Sequence, residues 1–318
     1  MTMLAARLHP IRPSSATLRA ALLLAVLIGI LFWATGRVSV PQVLDNARQA
    51  APLGVIALGQ ALILMMGRLD LSVGATASLA NVVLATAFAG DIDNLALALT
   101  LTLGCGLAVG LANGLLVVVL RIPAFLATLA SSLMVTGIVL YFTGGSPRGS
   151  IPVEFRVITE GWLGGVVPWS VVIWLVVSIA LLVLIHFTLA GRKMLLSGAN
   201  ARAARLSGIA ADALVILSFV LASLLATLGG ILLSAITGMA TIGIADAYTV
   251  DSIAAAVIGG ALFTGGVFLP AGAMAGSLIL FFLQSLLYVL SLPSAARFIL
   301  QGVIIIVALA LANLQRRR

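Results

Sequence analysis

The sequence predicts an all-α polytopic membrane protein of about ten transmembrane helices with an inverted internal repeat. Three observations lead there. Of its 318 residues 62% are hydrophobic and 8% charged, where a soluble domain carries about 25% charged residues. The apolar residues fall in runs of about 20, the length that crosses a bilayer core as a helix. The basic residues gather on one side when those runs are threaded alternately, as the positive-inside rule requires. Mean hydropathy is +1.27. The net charge of +8 is scattered among the spans, so topology accounts for it and no nucleic-acid partner is implied. The single cysteine, Cys105, allows no intrachain disulfide.

The spans run in order. Arg7, Arg12 and Arg19 precede a first apolar run at about 20–36, which lacks a clear small-x-small cleavage site and reads as an uncleaved helix rather than a signal peptide. Further spans are expected at about 52–67, 71–89, 95–120 and 123–143. A polar stretch at 144–168 carries Glu154, Arg156 and Glu160. A sixth span at 169–189 leads into a basic stretch, and others follow at 212–237, 250–263 (short), 271–290 and 295–313. With the N-terminus inside, 12 of the 17 basic residues fall on the cytoplasmic side, including Arg68, Arg121, Arg192, Lys193, Arg202, Arg205 and Arg316 to Arg318. Seven of the nine acids fall outside, Asp246 and Asp251 among them. Both termini are then cytoplasmic.

Glycine and proline shape these spans. Gly106, Gly110 and Gly114, and Gly272 and Gly276, stand four apart, the spacing that lets membrane helices approach closely. Gly259-Gly260 and Gly265-Gly266 bracket the short span and suggest a broken or re-entrant helix. Asn113-Gly114-Leu115-Leu116 runs on to Pro123 as Gln284-Ser285-Leu286-Leu287 runs on to Pro293. The two fall on opposite faces, the mark of an inverted repeat, with halves at roughly 41–145 and 212–313 of one domain, 1–318.

The polar residues inside this frame are few. Gln60, Asn81, Asn113 and Gln284 lie within spans, where amides bond neighbouring helices or line a polar path. Arg68-Leu69-Asp70 opens the third span, and Asp70 is placed either to cap its first amides or to stand at an inner gate. No ionisable residue is expected at mid-bilayer, which disfavours a proton- or ion-coupled carrier. Catalytic constellations are missing from the sequence. Lys193, the one lysine, follows Arg192 and precedes Met194, so there is no P-loop. His9 and His186 have no metal-ligating company. The chain is expected to be neither an enzyme nor a cofactor binder.

The stretch 191–209 is a polar, basic island between apolar runs. It must lie outside the bilayer core, on the cytoplasmic side, and its second half, 200–206, is suited to a short surface helix. Together with Leu69-Asp70-Leu71-Ser72-Val73-Gly74, Asn113-Gly114, Pro123-Ala124-Phe125-Leu126-Ala127-Thr128-Leu129 and Ala254-Ala255-Ala256-Val257-Ile258-Gly259-Gly260-Ala261, it makes the chain resemble the permeases of bacterial ABC importers for monosaccharides. The ribose-type permeases are the nearest in pattern, and they share a superfamily with branched-chain amino acid permeases. The resemblance covers about 41–313. Arg68 stands where the family often has glycine, and Ala245 to Val250 departs from its usual turn.

That resemblance implies a passive subunit in the bacterial inner membrane, surrounded by lipid. Its implied partners are a cytoplasmic ATP-binding subunit, a periplasmic solute-binding protein and a second permease subunit, identical or sister. It implies an ATPase-coupling segment at 191–211, with Gly198, Asn200, Ala203, Ala204, Ser207 and Gly208 as its docking residues. A neutral solute rich in hydroxyls suits a path of amides, so Gln60, Asn81, Asn113 and Gln284, with Asp70 at the inner gate, are the expected path residues. Alternatives are a permease for branched-chain amino acids or another small solute, or a self-sufficient secondary carrier.

Overall fold

A computed structural model describes residues 15–36 and 39–291, and beyond them 293, 295, 296, 299, 300, 302, 303 and 306. Most of the expected tenth span, Arg7 and Arg12, and Arg316 to Arg318 lie outside the described residues. The elements are helical almost throughout. They are α1 (Ser15–Thr35), α2 (Val40–Met65), α3 (Val73–Phe88), α4 (Leu95–Val118, after a short 3-10 turn), α5 (Ala124–Thr143), α6 (Val153–Glu160), α7 (Trp169–Phe187), α8 (Leu189–Ala199), α9 (Ala201–Leu206), α10 (Ala211–Thr237), α11 (Tyr248–Ile258) and α12 (Pro270–Val289). One antiparallel hairpin, β1 (Trp162–Leu163) and β2 (Val167–Pro168), pairs Trp162 with Pro168 and Leu163 with Val167.

Six of these helices are long and apolar enough to cross a membrane, and shorter apolar stretches, Thr17–Trp33 within α1 together with α3 and α11, accompany them. The boundaries follow local chemistry. Proline opens α12 and stands immediately before α5, α6 and α7, where its missing N–H costs nothing. Ser39 caps α2 by accepting from Gln42 N at 3.3 Å. That helix starts twelve residues before the expected span. Its polar first turns stay helical because Asp45 Oδ1 and Oδ2 take hydrogen bonds from Arg48 Nε and Gln49 Nε2, each at 2.8 Å.

At the centre, α10 packs on α4, α2 and α3, while α2 packs on α12 and α11. From Ala50 onward α2 is buried throughout. The outer faces of α4, α5 and α7 carry exposed leucine, valine and isoleucine, the surface that lipid tails cover. Lipid tails are as apolar as leucine, so burial alone does not hold such helices together. Close backbone packing does. Gly106, Gly110 and Gly114 set α4 onto α10: a Cβ at Gly110 would lie 2.8 Å from Phe219 O and from Val220 Cα. Gly272 and Gly276 set α12 onto α11, where added Cβ atoms would run into Gly259 and Ala255.

Candidate functional site

The two short helices are each entered by a non-helical stretch. Residues 66–72 lead from the end of α2 to α3, and residues 238–247 lead from the end of α10 to α11. The starts of α3 and α11 meet. A Cβ on Gly74 would lie 2.6 Å from Ala245 O and 3.2 Å from Asp246 O, and would collide with Thr249 Oγ1. A chain that leaves its helix orphans backbone groups, and buried side chains take them up here.

Two polar networks hold these stretches. In the first, Asp70 Oδ1 accepts from Ser72 N at 2.8 Å and from Ser72 Oγ at 2.6 Å. Ser72 Oγ accepts from Asn113 Nδ2 on α4 at 2.8 Å, and Asn113 Oδ1 accepts from Ser131 Oγ on α5. Thr128 Oγ1 adds an acceptor for Leu71 N at 3.0 Å. Asp70 thus folds the chain just before α3 and does not cap the helix; Ser72 is the cap residue and its side chain makes no capping bond. In the second network, Asn81 on α3 donates from Nδ2 to Ser234 Oγ at 2.9 Å and to Met239 O at 3.1 Å. Its Oδ1 accepts from Thr241 N at 2.7 Å, and Ser78 Oγ accepts from Ala245 N at 3.1 Å.

The five expected path residues therefore differ in setting. Gln60, Asp70, Asn81 and Asn113 are buried within this one chain, while Gln284 on α12 is partly exposed. Asn81 and Asn113 are bonded at both ends of their amides. Gln60 is not: neither its Oε1 nor its Nε2 has a hydrogen-bond partner among the described residues, and Asp70 Oδ2 is also without one. Asp251, expected on the outer side at the start of the eighth span, stands in the first turn of α11 but is buried, because the preceding stretch runs inward along α3 before the helix starts. The serines and threonines of both networks escape a sequence reading, since hydroxyls within apolar helices most often bond their own backbone, as Ser178 and Thr227 do.

The basic island is two helices where one was expected. Thr188 caps α8 by accepting from Gly191 N at 3.1 Å, and Asn200 both ends α8 and caps α9, accepting from Ala203 N at 3.0 Å. Ala203 and Ser207 face outward with Gly208, whereas Ala204 is packed inside. Gly198 faces inward: a Cβ there would collide with Met65 O, 3.1 Å from Gly266 N. The helices α8 and α9 lie at one end of α7, and α6 with its hairpin lies at the other.

This is the architecture of a multi-pass membrane permease. Two short helices start inside the protein, polar side chains hold the irregular chain that leads to them, and a helical basic segment is displayed on one face. The chain belongs to the family described as branched-chain amino acid transport system / permease component, whose model matches residues 42–309. It is 33% identical over 270 residues to the ribose import permease protein of Escherichia coli (strain K12), covering 84% of each chain. It is 34% identical over 299 residues to a probable ABC transporter permease protein of the same organism, covering 92% of this chain and 88% of that one. It is 30% identical over 282 residues to the galactose/methyl galactoside import permease protein of the same organism, covering 83% and 84%. No solved structure matches it.

Proposed function

We propose that the chain is the membrane subunit of an ABC importer that moves a monosaccharide across a bacterial inner membrane. In this reading a separate cytoplasmic ATP-binding subunit drives it, a periplasmic binding protein delivers the sugar, and a second permease subunit, identical or sister, completes the path. The relatives named for ribose and for galactose and methyl galactoside favour a sugar over an amino acid.

The observation that carries the reading is the helix pair α8–α9. It is displayed on one face, its Ala203 side is exposed, and its Gly198 end is pressed against the ends of α2 and of the turn after α11. Such a segment accepts a partner on one side and hands displacement to the bundle on the other. Asn200, Ala203, Ser207 and Gly208 are its docking residues, and Gly198 and Ala204 support it from within. The halves 41–145 and 212–313 are related as an inverted repeat. In support, α10 packs on α3 and α4 as α2 packs on α11 and α12, and α3 packs on α4 as α11 packs on α12.

The path residues act at two levels. Gln60, buried with both ends of its amide unpaired among the described residues, meets sugar hydroxyls only when the helices around it part, whereas Gln284 offers its amide from the α12 surface. Asp70, Asn113 and Asn81 hold the chain around the starts of α3 and α11, and so set the shape of the gate.

The test is Ala203→Asp in the full chain with its ATP-binding partner. An unpaired carboxylate buried at the docking face costs about 3 kcal/mol or more, so co-purification of the two subunits and sugar uptake into vesicles both fall while the permease still inserts. Normal assembly with normal uptake refutes the docking assignment.

A further inference from the structure

Three chain segments meet backbone to backbone at each face of the protein. At the α8 face these are the end of α2, the end of α8 and the turn after α11. Gly266 N donates to Met65 O at 2.8 Å, Gly198 sits against both, and a Cβ on Gly265 would lie 2.9 Å from Met65 O and 3.0 Å from Gly67 N. At the opposite face the end of α3, the strand-like stretch before α6 and the end of α10 meet in the same way. Gly90 N donates to Ser150 O at 3.0 Å, Ile151 N donates to Gly238 O at 2.9 Å, Ala240 N donates to Gly149 O at 3.3 Å, and Thr86 Oγ1 donates to Arg148 O at 2.9 Å. A Cβ on Gly149 would run into Ala85 and lie 2.7 Å from Thr86 N. Gly149 has φ 130° and Gly265 has φ 81°, so both positions exclude a side chain by conformation as well as by space.

The two junctions correspond. Exchanging α2 with α10 and α3 with α11 turns one into the other, and residues 148–151 then take the place of Gly198. Each short helix is held by both junctions. The chain entering α3 leaves the α8-face junction at Gly67, and α3 ends in the opposite one near Gly90. The chain entering α11 leaves the opposite junction at Ala240, and α11 runs down to the α8-face junction at Gly265. With 16 and 11 residues, the helices are about 24 Å and 16 Å long, so displacing either junction moves one end of both. Packed backbone with no side chain between passes displacement on without taking it up in rotamer changes.

We propose that these two glycine-lined backbone junctions are the levers of the transporter, and that the 148–151 stretch, with α6 behind it, is the face on which the sugar-loaded binding protein acts, as α8 is for the ATP-binding subunit. This rests on the function proposed above. It adds Gly149, Gly265 and Gly266 to the working residues and gives the binding protein a place to press. Arg156 on α6 reinforces that place, lying 3.2 Å from where a Cβ of Gly238 would be and paired with Glu160.

The experiment has two arms. In the first, amide hydrogen exchange is followed in the purified full-length permease. Gly198→Ala should raise exchange at least tenfold in both 65–72 and 259–266, and Gly149→Ala should do so in both 86–90 and 238–241. Gly104→Ala and Gly137→Ala, which have nothing within 4 Å of the added Cβ, should change neither pair of segments. In the second arm the complex with its ATP-binding subunit and binding protein is reconstituted. Gly198→Ala should lower sugar taken up per ATP hydrolysed at least fivefold with assembly retained. Gly149→Ala should lower the stimulation of hydrolysis by sugar-loaded binding protein at least fivefold. Should Gly198→Ala fold poorly, Gly266→Ala, whose Cβ would meet Ala199 at 2.9 Å, is read in both arms instead. Exchange that stays confined to the substituted segment overturns the junctions. Spread exchange with unchanged coupling overturns their role as levers. A wild-type complex that takes up no sugar, with exchange spreading as expected, overturns the transport reading and the levers with it while leaving the junctions standing.

Discussion

Replacing an intramembrane amide by leucine should shift stability in opposite directions at two sites of this protein. At Asn81 the exchange deletes three hydrogen bonds, to Ser234 Oγ, Met239 O and Thr241 N. Each membrane hydrogen bond is worth about 0.6–1 kcal/mol, so the loss is about 2 kcal/mol. It rises toward ~3 kcal/mol because the Thr241 N–H is left buried without an acceptor. At Gln60 the amide makes no bond among the described residues, and removing an unsatisfied buried group of that kind is neutral or stabilising by about 1 kcal/mol. The assay is amide hydrogen exchange beside thermal unfolding of the purified permease. Asn81→Leu should speed exchange in 239–247 by about 30- to 140-fold, since each 1.4 kcal/mol is a factor of ten. Gln60→Leu should leave exchange unchanged or slower and the unfolding temperature unchanged or higher, yet lower sugar uptake several-fold. Unchanged exchange in 239–247 for Asn81→Leu would refute the role given to Asn81. Unchanged uptake for Gln60→Leu would make Gln60 a packing residue.

Three further outcomes are expected. Gly110→Val should lower the unfolding temperature, because its side chain meets Phe219 O, Val220 Cα and Ser223 Cβ at 2.8 Å and such overpacking costs about 1–3 kcal/mol; Gly104→Val, on the open side of α4, should be neutral, and equal effects would remove the α4–α10 packing argument. Single cysteines at Glu154 and Arg202, both exposed, in a Cys105→Ser background should label from opposite sides of the membrane, and same-side labelling would refute the topology. Asp70→Asn retains an acceptor for Ser72 and should keep at least half of wild-type uptake, whereas Asp70→Ala, which frees Ser72 N, should lose most of it; equal uptake in the two would show that Asp70 does not act by shaping the chain before α3.

The sequence by itself located most of the long apolar helices. Hydropathy over about 20 residues is a local property, and proline before α5, α6, α7 and within the first turn of α12 marks the helix starts, so α3, α4, α5, α7, α10 and α12 fall within a few residues of their expected limits. The motif around Asp70, the basic island and the motifs at 113–129 and 254–261 together pointed to the family. The short helix expected over 200–206 is present as α9, and the structure adds Asn200 as its cap. The first half of the island, α8, was not legible: its cap Thr188 lies within the apolar run of α7 and its own residues show no clear amphipathic face.

Tertiary structure alone decided what each polar residue does. Gln60, Asn81 and Asn113 look alike in sequence, all amides in apolar helices. Asn81 finds Ser234 at a separation of 153 residues, Asn113 finds Ser72 at 41, and Gln60 finds no partner among the described residues. Ala203 and Ala204 are adjacent and identical, yet one faces outward and the other inward, because the orientation of α9 is set by Asn200 and by packing against α10. Asp251 changed from an acid at the outer end of a span to a buried one because a ten-residue stretch runs inward along α3, held by Ser78 and Asn81. A hydrogen bond or a backbone contact needs a partner from a distant part of the chain. Hydropathy and caps do not, and that difference separates what could be read along the chain from what only the folded bundle settled.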